Sequence, residues 1–312
     1  MSEIVMVLGF PASGKSGLSE GYVRKGYVHL NRDKEGGKVI DLLPKMIAAI
    51  SKDQDIVLDN LFPTAESRAP FIGHATKRQV SIRCEWMGTS LEEAQVNALH
   101  RMWDNYGQIF FTQAEMKGIK SPNIFPPAVL FKYRKEFEKP STGEGFDRVT
   151  KIPFVRKSPH WKIEGSGSAL IFDYDDTLRY STGPKNWPED PSEVALMKGR
   201  KERLKQLEDR LFLGVSNQSA IAKGLSDEIA QACFERTNEL LAIDIDYVYC
   251  PHRVPPVSCY CRKPQSGLGV QLVREYGLDP SKCLYVGDQT SDKTFAKRMG
   301  FQYEDAKHFF GG

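Results

Sequence analysis

The chain has 312 residues, of which 40% are hydrophobic and 27% are charged, and its formal net charge at pH 7 is +3. The length suggests two globular domains, and the lack of an 18-residue apolar run argues against a membrane span or membrane partner. The small net charge neither demands nor excludes a polyanionic partner. The first apolar stretch has no basic region before it and no cleavage site after it. We therefore expect no signal peptide and a cytoplasmic protein, or a nuclear one if the source is eukaryotic.

The first half of the chain alternates apolar strands with helical stretches. The predicted strands are Ile4–Leu8, Tyr27–Leu30, Ile56–Leu58 and Val80–Trp86, and the predicted helices begin at Lys15 and cover Val39–Ile50. This alternation is typical of an α/β domain in which helices cover both faces of a mainly parallel sheet.

The second half repeats this alternation. Its predicted strands are Ala169–Phe172, Phe212–Val215, Asp246–Tyr249 and Cys283–Val286, and its predicted helices are Ser192–Arg210, Ser226–Leu241 and Gly267–Tyr276. Between the halves, Lys157–Ser168 is rich in residues that break regular structure. We therefore predict one α/β domain over residues 1–157 and a second over residues 168–312.

Between the first strand and the first helix lies a glycine-rich loop, Gly9-Phe10-Pro11-Ala12-Ser13-Gly14-Lys15-Ser16. Its G-x-x-x-x-G-K-S spacing is that of a P-loop, whose backbone N–H groups and helix N-terminus bind phosphates. Lys15 would neutralise the β- and γ-phosphates of ATP, and Ser16 would bind Mg²⁺. The predicted ATP-binding residues are Gly9, Ser13, Gly14, Lys15 and Ser16. The alternative is a glycine-rich turn without a ligand.

Two carboxylates follow predicted strands of this half. Asp33 comes just after the second strand and Asp59 ends the third, so both would lie at the sheet edge where open α/β folds bind ligands. Asp33 is the candidate general base for an acceptor hydroxyl, and Asp59 would assist Mg²⁺ or hold the acceptor. Either carboxylate could instead cap the next helix.

The first strand of the second half ends in Asp173-Tyr174-Asp175-Asp176-Thr177. Asp173 can attack phosphorus as a nucleophile and form an aspartyl phosphate. Asp175 can protonate the leaving alkoxide and then activate water. Asp176 adds a carboxylate beside this pair, and the sequence assigns it no role.

Later segments supply groups for a metal and for the phosphoryl oxygens. Ser216 and Lys263 would bind those oxygens and spread their charge. Asp288 offers Mg²⁺ a hard oxygen ligand, and Asp292 would support the metal four residues further on. The predicted Mg²⁺ residues are Asp173, Asp175, Asp288 and Asp292.

Three cysteines and one histidine fall within twelve residues: Cys250, His252, Cys259 and Cys261. Thiolates and an imidazole at this spacing can close a tetrahedral Zn²⁺ site, and a closed set of four ligands implies a structural role. The alternative is a set of reduced, buried cysteines.

Residues 148–162 carry five basic side chains and no acidic one, with Phe154 and Trp161 between them. Basic groups interleaved with aromatics suit a single-stranded nucleic-acid end, through phosphate contacts and stacking. A solvated linker with a buried aromatic anchor is the alternative. The basic run Lys198–Lys205 predicts the exposed face of a helix.

Four segments of the first half resemble a known family. They are Leu30-Asn31-Arg32-Asp33, Leu58-Asp59-Asn60, Ala65-Glu66-Ser67-Arg68, and Tyr133–Glu138 followed by Glu144-Gly145-Phe146. They resemble the kinase domain of eukaryotic-type polynucleotide 5′-kinase/3′-phosphatases. The resemblance implies that Asp33 deprotonates a 5′-hydroxyl and that a lid arginine, which we match to Arg101, contacts ATP. Leu99 departs from the family pattern, and the alternative for Arg101 is a solvated helix position.

The second half resembles the haloacid-dehalogenase (HAD) superfamily over most of residues 168–312. The matching segments are the D-x-D-x-T strand end, Gly214–Gln218, Arg262-Lys263-Pro264 and Val286–Asp292. The cysteine cluster is similar to that of zinc-loop phosphatases acting on heptose bisphosphate and histidinol phosphate. This resemblance implies a Rossmann-like phosphatase domain with a minimal cap and an open site.

Together the two resemblances imply an enzyme that heals DNA or RNA ends. It would phosphorylate 5′-hydroxyls with ATP and hydrolyse 3′-phosphates, and a ligase is a candidate partner. One alternative is a small-molecule kinase fused to a sugar- or nucleotide-phosphate phosphatase. Another is a nucleotide-sensing module that gates the phosphatase.

Overall fold

The computed structural model describes residues 2–155, 167–253 and 259–311. The chain forms two compact units, the first from Met1–Ala98 with Lys120–Pro159 and the second from Leu99–Ile119 with His160–Gly312. The predicted boundary at Lys157–Ser168 lies outside the described residues except for its last two positions. Within the described ranges, no helix combines the length and the apolar character that crossing a membrane requires.

The first unit contains a five-stranded sheet in the order β2-β3-β1-β4-β5, and every pair is parallel. The strands are β1 (Glu3–Leu8), β2 (Val28–Leu30), β3 (Ile56–Asp59), β4 (Ser81–Met87) and β5 (Arg148–Ile152). The helices are α1 (Lys15–Val23), α2 (Arg32–Glu35), α3 (Leu42–Ile50), α4 (Ala65–Lys77), α5 (Leu91–Tyr106) and α6 (Pro127–Glu136). The division between the two units passes through α5.

The central strand β1 explains why this sheet forms. Its residues from Ile4 to Leu8 are apolar and completely buried, and β1 pairs with β3 on one side and β4 on the other. A parallel strand covered by helices on both faces needs such a continuous apolar run. The predicted α/β architecture is confirmed.

The edge strand β5 was not predicted. It pairs with β4 from Arg83↔Arg148 to Met87↔Ile152, and its side chains are exposed or half-buried. Because an edge strand buries little, its polar sequence gave no strand signal. The start of the predicted basic segment therefore forms a strand, whereas residues 156–162, including Trp161, lie outside the described residues.

Segments that carry the kinase-family resemblance meet inside this unit. Arg68 is fully buried and donates to both carboxylate oxygens of Glu144, from Nε at 2.6 Å and Nη2 at 2.9 Å. Its Nη1 donates to the backbone oxygen of Phe62 at 3.0 Å. The Tyr133 hydroxyl donates to the backbone oxygen of Leu61 at 3.1 Å. These residues therefore stabilise the fold, since a buried guanidinium needs a bidentate partner.

The second unit contains a five-stranded parallel sheet in the order β10-β9-β6-β11-β12, and β7 and β8 form an antiparallel pair. The strands are β6 (Ala169–Phe172), β7 (Arg179–Ser181), β8 (Val194–Leu196), β9 (Leu211–Asn217), β10 (Asp246–Cys250), β11 (Leu284–Gly287) and β12 (Gln302–Asp305). The helices are α7 (Arg200–Lys205), α8 (Asp227–Leu241), α9 (Gly267–Glu275), α10 (Thr290–Met299) and α11 (Ala306–Phe310).

The predicted helix over Ser192–Arg210 is wrong. Its first part forms β8, which pairs with β7 from Arg179↔Leu196 to Ser181↔Val194. Gly199 has a left-handed φ of 79°, so a helix cannot extend through it toward the N-terminus. As a result, α7 covers only Arg200–Lys205. The β7–β8 pair, the short 3₁₀ turn Pro191–Glu193 and this short helix are the regular elements between β6 and β9, which agrees with a minimal cap.

Tyr174 anchors the loop that follows β6. It is fully buried, and its ring centroid lies 4.5 Å from that of Phe234 in an edge-on contact. A Cβ at Gly214 in β9 would lie 2.3 Å from the Tyr174 ring, so only glycine leaves room for it. This packing fixes the backbone between Asp173 and Asp175.

Candidate active sites

The P-loop follows β1 with a tight fit to its surroundings. Gly9 has φ 149°, and a Cβ there would lie 2.9 Å from both Met87 Cβ and Ser13 Oγ. Lys15 Nζ donates to the backbone oxygens of Gly9 at 3.1 Å and Phe10 at 2.7 Å. The ammonium therefore lies against the loop, close to the backbone that would surround a phosphate.

Two side chains from outside the loop hold its backbone, and the sequence did not single out either. Thr89 Oγ1 donates to the backbone oxygen of Ser13 at 2.8 Å, and Asn97 Nδ2 donates to that of Ala12 at 2.9 Å. Gly14 and Ser16, at the start of α1, are exposed. The predicted ATP-binding residues Gly9, Ser13, Gly14, Lys15 and Ser16 thus form one continuous, braced loop.

Asn31 links the backbones of the two residues that carry the predicted kinase carboxylates. Its Nδ2 donates to the backbone oxygen of Asp59 at 2.8 Å, and its Oδ1 accepts from the backbone N–H of Asp33 at 2.8 Å. Because β2 and β3 are neighbours in the parallel sheet, both carboxylates lie at the same edge. Asp33 is exposed beside Arg32, whereas Asp59 is buried with Oδ2 3.4 Å from His29 Nε2.

The alternative that these carboxylates cap helices is wrong. The N-cap of α2 is Asn31 and the N-cap of α4 is Thr64. Arg101 lies in α5 and is half-buried rather than solvated, and burial lowers the pKa of its guanidinium. Its contact with ATP stays a prediction.

In the second unit, Lys263 joins two buried carboxylates. Its Nζ lies 2.7 Å from Asp173 Oδ1 and 2.8 Å from Asp292 Oδ1. The same ammonium donates to the backbone oxygen of Val215 and to the Tyr285 hydroxyl, each at 2.8 Å. Tyr285 was not singled out from the sequence, although its hydroxyl also lies 3.2 Å from Asp292 Oδ1.

Burial and charge decide how this cluster ionises. Burial raises the pKa of Asp173 to about 7, while Lys263 lowers it and Asp292 raises it. Burial alone would lower the pKa of Lys263, but Asp173 and Asp292 raise it above its ordinary value. The two carboxylates therefore favour the charged form of Lys263, and Lys263 in turn favours the charged form of Asp173.

Asp175 is held by two side chains whose roles the sequence did not reveal. Arg179 Nε donates to its Oδ1 at 2.9 Å, and Gln218 Nε2 donates to its Oδ2 at 2.7 Å. Gln218 also donates to Ser216 Oγ at 2.9 Å. The usable signals were spacings: Gln218 lies two residues after Ser216, and Arg179 four residues after Asp175.

An acidic cluster fits a hard divalent cation. Single carboxylate oxygens of Asp173, Asp288 and Asp292 lie within 4.8 Å of one another, and oxygen ligands are those that Mg²⁺ prefers. Burial and Asp292 raise the pKa of Asp288, which a cation would reverse. Asp292 already accepts from Lys263 and from the backbone N–H of Gln289 at 3.0 Å, which suits a supporting role.

The side chain of Asp175 does not join this cluster among the described residues. Both of its oxygens accept from Arg179 and Gln218 instead. The predicted direct ligand role of its carboxylate therefore lacks support, whereas the acid–base role agrees with an oriented carboxylate. Thr177 Oγ1, from the same motif, donates to Asp288 Oδ1 at 3.3 Å.

The backbone explains Asp176, to which the sequence assigned no role. Its φ is 61°, in the left-handed region that glycine adopts freely and aspartate tolerates. Its N–H donates to the backbone oxygen of Arg179 at 2.8 Å, which closes the turn that follows Asp173 and Asp175.

The cysteine cluster has the geometry of a tetrahedral zinc site. The distance from Cys250 Sγ to Cys259 Sγ is 3.7 Å, and His252 Nδ1 lies 3.5 Å from Cys250 Sγ and 3.2 Å from Cys261 Sγ. Sulfurs bound to Zn²⁺ at about 2.3 Å in a tetrahedron are separated by about 3.8 Å. All four ligand atoms lie within 4.8 Å of one another, so the set fits Zn²⁺.

Part of the chain is similar to known phosphatases. The HAD-hydrolase-like family model matches residues 260–303, which include Lys263, Asp288 and Asp292. The D-glycero-β-D-manno-heptose-1,7-bisphosphate 7-phosphatase of Haemophilus ducreyi is 31% identical over 148 residues, which cover 42% of this chain and 78% of that protein. This chain belongs to the HAD-like phosphatases.

The match to a second relative covers more of this chain. The bifunctional polynucleotide phosphatase/kinase of Schizosaccharomyces pombe is 32% identical over 181 residues, covering 57% of this chain. The match spans only 36% of that relative's length. The solved D,D-heptose 1,7-bisphosphate phosphatase from B. bronchiseptica, complexed with magnesium and phosphate, is 27% identical. The match covers 43% of this chain and 78% of that chain, with a TM-score of 0.39.

Proposed function

We propose that this protein heals nucleic-acid ends. The first unit would transfer the γ-phosphate of ATP to a 5′-hydroxyl, and the second would hydrolyse a 3′-phosphate. One observation carries the proposal, namely that one chain holds two such sites in two units. The first unit contains a P-loop together with Asp33 and Asp59, whose backbones Asn31 links. The second contains the buried cluster of Asp173, Lys263 and Asp292. The similarity to the bifunctional polynucleotide phosphatase/kinase supports it.

In the phosphatase reaction, Asp173 attacks phosphorus while Asp175 gives its proton to the departing ester oxygen. This step leaves an aspartyl phosphate and a free hydroxyl. Asp175 then takes a proton from water, which attacks the phosphorus and releases inorganic phosphate. Lys263 and Ser216 would stabilise the charge on the phosphoryl oxygens throughout.

The proposed metals have different tasks. Asp173, Asp288 and the supporting Asp292 would hold Mg²⁺, which lowers the repulsion between a carboxylate and a phosphate dianion. The three thiolates and His252 would hold Zn²⁺ with no open coordination position. Zinc would therefore stabilise the fold of the loop and take no part in the reaction.

In the kinase reaction, Asp33 accepts the proton of the acceptor hydroxyl as its oxygen attacks the γ-phosphorus and ADP departs. The exposure of Asp33 supports this role, because a polymer end must reach it from solvent. Asp59 would orient the acceptor or assist Mg²⁺, and Arg101 would contact the ATP phosphates.

The two reactions together convert strand ends that a ligase cannot join into strand ends that a ligase can join. A strand break with a 5′-hydroxyl and a 3′-phosphate becomes a 5′-phosphate and a 3′-hydroxyl. We therefore propose DNA or RNA ends as the substrate and a ligase as the partner acting next, in the cytoplasm or nucleus.

The decisive experiment supplies labelled ATP with a 5′-hydroxyl oligonucleotide, beside a panel of sugars and nucleosides. Phosphate release is measured in parallel from a 3′-phosphorylated oligonucleotide and from heptose bisphosphate. We expect label in the oligonucleotide and phosphate from its 3′-phosphorylated counterpart. If ATP binds but no acceptor is labelled, the first unit is a nucleotide sensor instead.

A second candidate is a small-molecule kinase fused to a sugar-phosphate phosphatase. The observation in its favour is the match to the heptose-bisphosphate phosphatase, which covers 78% of that protein. Labelling of a sugar without labelling of the oligonucleotide would select this candidate.

A further inference from the structure

A cleft in the second unit takes no part in the chemistry described above. Its volume is about 390 Å³, and its lining comes from two segments, residues 185–189 between β7 and β8 and residues 220–229, which follow β9 and run into the first turn of α8. The segments meet where the Lys223 ammonium lies 4.5 Å from the centroid of the Trp187 ring. This is a cation–π distance, so an aromatic face and a positive charge share one cleft.

Both sides of the cleft continue from residues that hold the catalytic acid. The backbone oxygen of Gln218, whose side chain binds Asp175, accepts from the short turn Ile221–Lys223 at 3.2 Å. On the other side, β7 begins at Arg179, the second partner of Asp175, and leads into the segment that carries Trp187. Both segments of the cleft therefore follow closely along the chain from the two side chains that bind Asp175.

The charges at the cleft favour an anion. Lys185 is paired with Glu189 at 2.6 Å, whereas no carboxylate of the described residues lies within ion-pair distance of Lys223. Arg253, which follows the zinc ligand His252, is exposed and donates its Nε to the backbone oxygen of Ala222 at 3.0 Å. This contact adds a cation and supports the turn that carries Lys223.

We propose that this cleft binds the nucleotide immediately 5′ of the 3′-phosphorylated terminal nucleotide of a single strand. Trp187 stacks on its base, and Lys223 binds its phosphodiester. The inference rests on the proposed 3′-phosphatase function and assigns that function a second nucleotide-binding subsite. Aromatic rings beside basic side chains bind single strands in this way, and a sugar phosphate has no second base or phosphodiester to fill the cleft.

The first test varies substrate length. Phosphate release is measured from thymidine 3′-monophosphate and from a 3′-phosphorylated oligothymidylate, using the full chain and its Trp187→Ala and Trp187→Phe variants. We expect Trp187→Ala to raise KM for the oligonucleotide about 5-fold or more, since one stacked base contributes that much. Trp187→Phe should retain most of the affinity, and KM and kcat for the mononucleotide should not change.

The second test measures salt dependence with Lys223→Gln. Each phosphate contact to a single strand contributes a slope of about −0.7 to the logarithm of affinity against the logarithm of salt concentration. We expect Lys223→Gln to reduce the slope of log(kcat/KM) by about 0.7 for the oligonucleotide. Lys205→Gln, which removes an exposed charge from α7 of the same unit, is the matched control and should leave the slope unchanged.

The results separate this inference from the function on which it rests. Equal effects of Trp187→Ala on both substrates, or no effect on either, would overturn the subsite and leave the 3′-phosphatase intact. An unmodified protein that hydrolyses neither substrate would overturn both.

Discussion

Lys263 Nζ lies 2.7 Å from Asp173 Oδ1, at the centre of the phosphatase site. Both side chains are almost completely buried, and the ammonium also lies 2.8 Å from Asp292. One cation therefore serves two carboxylates in a place that water scarcely reaches. The same contact that would organise the reaction also keeps two negative charges compatible with a folded core.

Replacing Lys263 tests both roles. We expect Lys263→Met to abolish phosphate hydrolysis and to lower the free energy of unfolding by about 3–5 kcal/mol, because it leaves buried carboxylates without a counter-charge. Urea unfolding and phosphate release measure the two effects. Lys282→Met removes an exposed lysine paired with Asp279 at 3.6 Å and should cost no more than about 1 kcal/mol. Hydrolysis that survives Lys263→Met would contradict the assignment.

Asp33→Asn should separate phosphate transfer from ATP binding. The amide cannot accept the acceptor proton, so we expect transfer to fall about 10²- to 10⁴-fold, with ATP affinity and phosphatase activity unchanged. Glu35→Gln is the control within the same short helix, since Glu35 pairs only with Lys45 among the described ion pairs. Transfer at the original rate by Asp33→Asn would mean that another group is the base.

Thiol labelling tests the zinc site. Burial raises the pKa of Cys84 to about 12 and of Cys233 and Cys283 to about 11, so these three thiols stay protonated and unreactive at pH 8. We expect the metal-loaded protein to resist alkylation and a chelator to release one Zn²⁺ per chain. Mass spectrometry should then find alkylation confined to Cys250, Cys259 and Cys261.

The control for this experiment is dialysis into a Mg²⁺-free buffer without a chelator, which leaves zinc in place and should not change the labelling. The assignment of the cluster would be contradicted if no zinc were released. It would also be contradicted if Cys84 were labelled earlier than Cys250, Cys259 and Cys261.

Arg68→Met tests whether the family-like segments of the first unit are structural. Removing a buried partner of Glu144 should cost about 3–5 kcal/mol of unfolding free energy. Lys132→Ala, which breaks an exposed pair with Glu136 at 3.9 Å, should cost less than about 1 kcal/mol. Circular dichroism during urea unfolding measures both. A loss of less than 1 kcal/mol in Arg68→Met would show that the pair adds little.

The sequence predicted best where one local pattern determines the structure. The apolar runs of β1 and β6 each lead into a motif, so the strand–loop–helix context of residues 9–16 and the position of Asp173 just after β6 were predicted correctly. The α/β architecture followed from the same alternation. The contact of Gln218 with Asp175 could not be predicted, because it forms only after β6 and β9 have paired, whereas Arg179 lies four residues from Asp175 and that spacing was a usable signal.

The errors also have physical causes. The segment Ser192–Arg210 is charged at helical spacing, but the partner of Val194–Leu196 is β7, and pairing with β7 outweighs local propensity. Strand β5 was not predicted because its short, basic and largely exposed sequence is also typical of a linker. The left-handed backbone of Asp176 could not be read from a residue type that also adopts ordinary conformations.

Asparagine is the residue that position 31 requires, and its amide shows why. The oxygen caps α2 by accepting from Asp33, while the nitrogen reaches across to the carbonyl of Asp59. Aspartate would cap the helix equally well, but its second oxygen has no hydrogen to donate to the backbone carbonyl of Asp59. Serine is too short to cap the helix and reach that carbonyl at the same time. A substitution that keeps the helix cap would therefore still lose the donor that joins the end of β2 to the end of β3.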